Sequence, residues 1–187
     1  MLQNAEKKSI DELLSLNPLY HQDKQFHCEA KIVDIDLRMG WYYKACHTCY
    51  KQLDETSGAK ICPKHGIIEG LPLPWYKMHL IVADEDEQTT FVLMGTAAER
   101  TLHVTCYNLV YEQEQKNPSV APEIIANLIG KTKIFQIRFG QQKSTSSRFD
   151  FLISNVFDIP NKLASGSSIV SPATTVSNPA GKLKSTQ

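Results

Sequence analysis

The sequence predicts a small, mainly β domain, a closed barrel with a metal-binding loop inserted between two strands. Three observations predict it. Several short segments alternate apolar and polar side chains with the period of a strand. One of them, residues 25–37, changes the phase of its alternation, which predicts a β-bulge and the bent strand that small barrels need. Four residues within the segment 44–66 are spaced as two metal-binding pairs: Cys46, Cys49, Cys62 and His65.

Composition limits the class of protein. Of 187 residues, 42% are hydrophobic, enough for a core, and no apolar run approaches the length of a membrane span. The N-terminus lacks the pattern of a signal peptide, so we expect a cytosolic or nuclear chain whose thiols stay reduced. The formal net charge is zero, which is unusual for a nucleic-acid binder, although residues 131–148 carry basic side chains and no acid.

The elements follow in chain order. Residues 8–16 form a short predicted helix, since Ser9 and Glu12 are spaced as a capping box. The strand at 25–37 comes next, and the aromatic residues 41–43 begin a strand that runs into a metal loop at 44–66. The rest alternates strands and helices: strands 75–83 and 89–94 joined by a turn at 84–88, helices 96–103 and 120–129, and strands 131–139 and 148–157.

These elements define three regions. Residues 1–20 are a helical lead-in and residues 21–160 are the barrel domain, which includes the ribbon at 44–66. Residues 161–187 are rich in Ser, Thr, Ala and Pro without aromatic or acidic side chains. Such a segment buries too little apolar surface to offset the entropy of ordering, so we predict a disordered tail.

The paired cysteines predict a zinc site. The pattern is C-x2-C, twelve residues, then C-x2-H, and three thiolates with one imidazole suit a closed tetrahedral Zn²⁺. Pro63 lies inside the second pair, which disfavours a helix there and favours a ribbon-like loop. Because all four positions are protein ligands, the zinc is expected to be structural. His47 is an alternative fourth ligand, although it is adjacent to Cys46.

The remaining signal is typical of a single-strand binder, which needs cations for phosphates and exposed aromatic rings for bases. The candidate nucleic-acid-binding residues are Tyr42, Trp75, Lys77, Lys133, Arg138, Lys143 and Arg148. Phe135 and Phe139 alternate in a strand that looks buried, so core packing is the better interpretation for them. The chain has no phosphate-binding glycine loop and no clear catalytic pair, and we expect no enzyme activity.

Two segments carry a family resemblance. The run WYYKACHTCYKQL and the strand WYKMHLIVAD resemble the C-terminal DNA-binding domain of the large subunit of replication protein A, above all its short plant relatives. The likeness extends over about residues 25–158. In two places the chain departs from the family: His65 stands where many members have a fourth cysteine, and Met94-Gly95 replaces an aromatic residue and an aspartate.

The resemblance implies an OB-fold, a five-stranded Greek-key barrel, with an inserted zinc ribbon. It also implies single-stranded DNA binding in replication, repair or recombination in the nucleus, with other OB-fold subunits as possible partners. RNA is left open as a ligand. The alternative is a protein-interaction or assembly module with weak or no DNA binding. The five cations of residues 131–148 discriminate, since one contiguous basic face favours DNA: Lys131, Lys133, Arg138, Lys143 and Arg148.

Overall fold

The computed structural model describes residues 5–140 and 149–160, and the predicted tail at 161–187 lies outside them. The strands are β1 Glu6–Lys7, β2 Phe26–Asp36, β3 Tyr42–Ala45, β4 Ile61–Cys62, β5 Gly66–Ile67, β6 Leu73–Ala83, β7 Gln88–Met94, β8 Thr132–Phe139 and β9 Phe151–Phe157. The α-helices are α1 Ile10–Ser15, α2 Gly95–Leu102 and α3 Glu123–Ala126, with a 3₁₀ turn at Pro18–Tyr20 and a π-helical turn at Asn108–Glu112.

Five of the strands close into a barrel. β2 pairs with both β8 and β6, β6 pairs with β7, β7 pairs in parallel with β9, and β9 pairs with β8. This order, with α2 and α3 between β7 and β8, is the predicted OB-fold. Two short strands are added to the five: β1 lies parallel to the start of β2, and β3 pairs with β6.

The bend that closes the barrel lies in β2. Its first half pairs with β8 and its second half with β6, and the register shifts between Ile32 and Asp34. Val33 is the extra residue, at the position where the alternation of the sequence changes phase. The predicted β-bulge is therefore confirmed, and it lets one strand contribute to both halves of the barrel.

Inward-facing side chains from all five strands fill one core. Its largest fully buried members are aromatic: Trp41, Tyr76, Phe26, Phe91 and Phe135. The N-terminal helix belongs to the same core, because Ile10 and Leu13 of α1 are fully buried in it. The predicted capping box of Ser9 and Glu12 is confirmed.

The later helices differ from the prediction. The helix expected at 120–129 has only one α-helical turn, Glu123–Ala126, followed by turns that end where Gly130 adopts a φ of 84°. The π-helical turn at Asn108–Glu112 has no counterpart in the prediction. Apolar spacing marks the buried side of such segments but does not fix their hydrogen-bond pattern. Among the helices of the described residues, none has the length and apolar character that a membrane crossing requires.

Candidate metal centre and nucleic-acid interface

The ribbon lies between the first and second barrel strands, β2 and β6. The ribbon contains little regular structure. Strands β4 and β5, of two residues each, form a hairpin, and isolated bridges join Ala45 to Gln52 and Asp54 to Ile61. The ribbon has its own small cluster of buried residues, separate from the barrel core: Cys46, Leu53 and Cys62, with Cys49 and Ile68 packed against them. The inside of the ribbon is thus made largely of the predicted ligands.

All four predicted ligands lie together. The donor atoms of Cys46, Cys49, Cys62 and His65 are all within 4.8 Å of one another. The Sγ atoms of Cys49 and Cys62 are 3.5 Å apart, and Nδ1 of His65 lies 3.4 Å from Sγ of Cys46 and 3.6 Å from Sγ of Cys62. Two thiolates on a tetrahedral zinc ion are about 3.8 Å apart, given Zn–S bonds of about 2.3 Å. The donor set and its spacing therefore fit one metal ion.

Backbone N–H groups around the thiols prepare them for a cation. The N–H groups of Thr48 and Cys49 donate toward Cys46, and they lower the pKa of its thiol to about 6. The N–H of Lys64 donates to Sγ of Cys62 at 3.4 Å. At Cys49 the N–H of Lys51 also favours the thiolate, but burial and the neighbouring thiols outweigh it and raise the pKa.

His47, the alternative fourth ligand, is not part of the donor cluster. Its Nε2 lies 2.8 Å from the carbonyl oxygen of Leu71, and the imidazole in the cluster is that of His65.

Gly66 follows His65 with a φ of 75°, in the left-handed region, and starts β5. A glycine fits there because it carries no Cβ.

The outer side of the barrel beside the ribbon carries Trp75 and Lys77. Side chains alternate along β6, so these two project away from the buried Tyr76 and Met78. On the same outer side, four residues of neighbouring strands lie side by side in one row across the sheet: His79, Val92, Leu152 and Arg138. Trp75 and Lys77 thus lie toward one end of an outer surface and exposed Arg138 toward the other, with Val92 between them only 2% exposed.

The other described candidates have different surroundings. Tyr42 is paired with buried Tyr76, its ring lies 4.5 Å from that of Trp41, and its hydroxyl donates to the carbonyl of Lys116. Lys133 lies on the same side of β8 as its buried residues, at the start of the strand, and forms an ion pair with Asp158. The structure therefore does not bring Tyr42 and Lys133 to the outer surface that carries Trp75.

The basic stretch is only partly described. Lys143 and Arg148 lie outside the described residues. Of the rest, Lys131 and Arg138 are exposed, while Lys133 projects to the opposite side of β8 from Arg138. The described cations of this stretch do not share one side of the strand. Phe135 and Phe139 are 0% and 4% exposed, so both belong to the core.

Charge near the outer row is balanced locally. Asp36 of β2 is in register with His79, and Arg38 binds its carboxylate through Nε and a second guanidinium nitrogen. The side-chain hydrogen bonds from Arg38 lower the pKa of Asp36 to about 2. The negative charge of Asp36 beside this row is therefore paired with the Arg38 guanidinium.

Sequence reasoning missed Tyr50, the residue after Cys49. Its ring lies on that of Trp75, with centroids 4.5 Å apart and planes at 33°. Gly95 is close on Trp75 as well, because a Cβ there would lie 2.9 Å from the indole Nε1. The glycine at the family-divergent Met94-Gly95 position thus makes room for Trp75. The signal available in the sequence was an aromatic residue directly beside a ligand.

Solved structures with this fold were found among proteins that bind DNA. One is a chain of a replication protein A heterotrimer bound to single-stranded DNA, with a TM-score of 0.67 and 19% identity over 83% of this chain and 36% of that one. Another is a chain of yeast RPA bound to single-stranded DNA, with a TM-score of 0.62 and 20% identity over 85% and 91%. The chain thus spans about a third of the first of these proteins. No protein-family model and no curated protein sequence matches it.

Proposed function

We propose that this chain is a non-catalytic single-stranded DNA-binding protein whose ribbon is held by one structural Zn²⁺. The observation that carries the proposal is the place of the four-donor cluster. It lies in a loop between the first two strands of an OB-fold barrel, beside the outer surface with Trp75 and Lys77. The structures of similar fold contain single-stranded DNA.

Zinc is the metal we propose for the cluster, with Cys46, Cys49, Cys62 and His65 as ligands. Three sulfur donors favour a soft or borderline ion, and a closed set of four protein donors leaves no open position for an activated water. The metal would supply the cross-link that the short strands of the ribbon cannot. In this respect the chain resembles the zinc-containing C-terminal domain of the replication protein A large subunit.

The proposed DNA interface is the outer surface that begins at the ribbon. Trp75 offers aromatic surface for a base, and Lys77 and Arg138 offer cations for phosphates. Lys143 and Arg148 remain candidates from the sequence, whereas Tyr42 and Lys133 make contacts within the domain. We also propose a nuclear role in DNA replication, repair or recombination, with other OB-fold subunits as possible partners.

A titration of a fluorescent, unstructured oligonucleotide tests the proposal. We expect a dissociation constant in the micromolar range, because one small module offers few stacking sites. Two or three phosphate contacts would give log K against log salt a slope of about −1.5 to −2 for single-stranded DNA. An RNA of the same sequence tests DNA preference, and duplex DNA serves as the competitor. No binding at low salt would overturn the proposal.

A second candidate function is a protein-interaction or assembly module on the same barrel. Two observations favour it: the formal net charge is zero, and the described cations of residues 131–148 do not share one side of β8. In that case the zinc content would be unchanged but the oligonucleotide would not bind. Sedimentation of the protein with and without an OB-fold partner would then detect a complex.

A further inference from the structure

We infer that Tyr50 is itself a base-stacking residue, and that Tyr50 and Trp75 form a two-ring platform spanning the ribbon and the barrel. This inference rests on the proposed binding of single-stranded DNA and names a residue that the family resemblance does not supply. It places a base contact in the ribbon, at the residue that directly follows the predicted metal ligand Cys49. Three features of the structure support it.

The backbone of Tyr50 is held in an uncommon conformation. Its φ is 58°, in the left-handed region that bulky side chains rarely occupy. Its N–H donates to the carbonyl of Cys46 at 2.9 Å, and its carbonyl accepts from the hydroxyl of Tyr43 at 2.8 Å. An asparagine or glycine would be the unstrained choice at such a turn. A tyrosine here indicates a use for the ring.

The ring of Tyr50 is both supported and open. It contacts Trp75 at a centroid distance of 4.5 Å, yet the residue is 47% exposed. Aromatic rings in contact at this distance stabilise each other, so the ring has a preferred position before any ligand arrives. A ring that is fixed in place and still accessible loses little entropy when a base stacks on it.

The support beneath the pair is rigid. Trp75 lies in β6, where its backbone pairs with Tyr43 of β3, and its indole packs so closely on Gly95 that no Cβ fits between them. Lys77 is the next outward residue of β6, about 6.7 Å further along the strand. A base on Tyr50 would therefore place a neighbouring phosphate near a cation of the same surface.

Photo-crosslinking of the wild-type protein tests this contact directly. The probe is an oligothymidine in which single thymines are replaced by 5-iododeoxyuridine, and adducts are located by peptide mass spectrometry. We expect the main adduct on Tyr50 or on Tyr50 and Trp75 together. Adducts confined to other residues would overturn the inference while leaving the proposed DNA binding in place.

Substitution separates stacking from mere packing. Tyr50→Asn removes the ring but tolerates the left-handed backbone, and should weaken oligonucleotide binding about 5- to 150-fold, the range for loss of one stacked base. Tyr50→Phe keeps the ring and should bind within about twofold of wild type, as phenylalanine stacks on bases too. Metal content is measured for each variant, so that a loss of the ribbon is recognised.

The matched control is Tyr107→Asn. Tyr107 is 44% exposed and also contacts another ring, that of Tyr111, but it lies on the segment between α2 and the π-helical turn. Its replacement should leave binding unchanged. Wild-type affinity in Tyr50→Asn would overturn the inference alone, whereas a wild-type protein that binds no oligonucleotide would overturn it together with the proposed function.

Discussion

The barrel and the ribbon of this protein are stabilised by different physical means. The barrel buries aromatic and aliphatic side chains from five strands and α1 in one continuous core. The ribbon has two strands of two residues each, and its own buried cluster consists of two predicted metal ligands, Cys46 and Cys62, with Leu53. A segment with so little apolar burial is not expected to hold its fold alone. The hydrophobic effect thus accounts for the barrel, whereas the ribbon would need the proposed metal ion as its cross-link.

Cys49→Ser gives the largest expected effect, since it removes one of the four proposed ligands of the ribbon. Structural zinc contributes apparent binding free energies of about 10–16 kcal/mol in small domains, so a missing thiolate should release the metal and unfold the ribbon. Elemental analysis should show loss of one equivalent of zinc. Amide exchange should become fast in residues 46–67 and stay slow in β6 and β8.

The matched control for this variant is Cys28→Ala. Cys28 is fully buried in the barrel core and distant in sequence from the ribbon, and burial raises the pKa of its thiol to about 12. This variant should keep its zinc and lose only part of its global stability. One equivalent of tightly bound metal in Cys49→Ser would show that the ligand set is wrong.

Phe91→Ala tests the contribution of the barrel core to stability. The Phe91 ring contacts the rings of Phe135 and Phe151, each at a centroid distance of 5.6 Å, and the residue is fully buried. Its truncation should lower the free energy of unfolding by about 3–5 kcal/mol through lost burial and a cavity. Urea unfolding followed by tryptophan fluorescence measures this loss.

The same variant tests whether the ribbon depends on the barrel core. With Co²⁺ in the metal site, the visible absorption of the ion reports on the ribbon during the same titration. We expect Phe91→Ala to keep the native cobalt spectrum before the unfolding transition. A spectrum already altered without denaturant would contradict the independence of the two regions.

Gly95→Ala tests the packing around Trp75, the residue at which ribbon and barrel meet. Gly95 has a φ of 54°, and a Cβ would lie within 3.0 Å of three atoms of the Trp75 indole. Strain and overpacking together should cost about 1–3 kcal/mol. In Gly95→Ala/Trp75→Ala the clash is relieved, so the two effects should not add. Denaturation of both single variants and the double variant measures the coupling, and strict additivity would contradict the packing.

The sequence predicted the features that depend on spacing and periodicity. The bulge at Val33 follows from the change of phase in β2, and the cluster of four donors follows from the paired cysteines and histidine. Both signals are local, because the alternation of a strand and the two-residue gap of a metal-binding pair are written in adjacent residues. The bent strand also predicted a closed barrel, whereas its OB-fold topology followed from the family resemblance, and the strand pairing confirms both.

Features that depend on which residues meet across the fold were not predictable in the same way. The alternation of β8 places Lys133 and Arg138 on opposite sides, but only the register shows that Arg138 shares a row with His79. Tyr42 borders the metal loop in the sequence, but only the register shows that it pairs with Tyr76 and packs against the core. Contact between Tyr50 and Trp75 joins residues 25 positions apart, and no periodic pattern encodes it.

The smallest expected effect concerns the ion pair at the base of the ribbon. Lys44 of β3 donates to both carboxylate oxygens of Glu55, at 3.0 and 2.8 Å, but the two side chains are 47% and 41% exposed. Exposed pairs contribute about 0–1 kcal/mol, since water screens the charges and both side chains lose freedom. Glu55→Gln should therefore shift the unfolding midpoint little, and less at high salt. Loss of metal from the variant would show that surface charge has a part in holding the ribbon, whereas full zinc content would show that the ribbon does not depend on this ion pair.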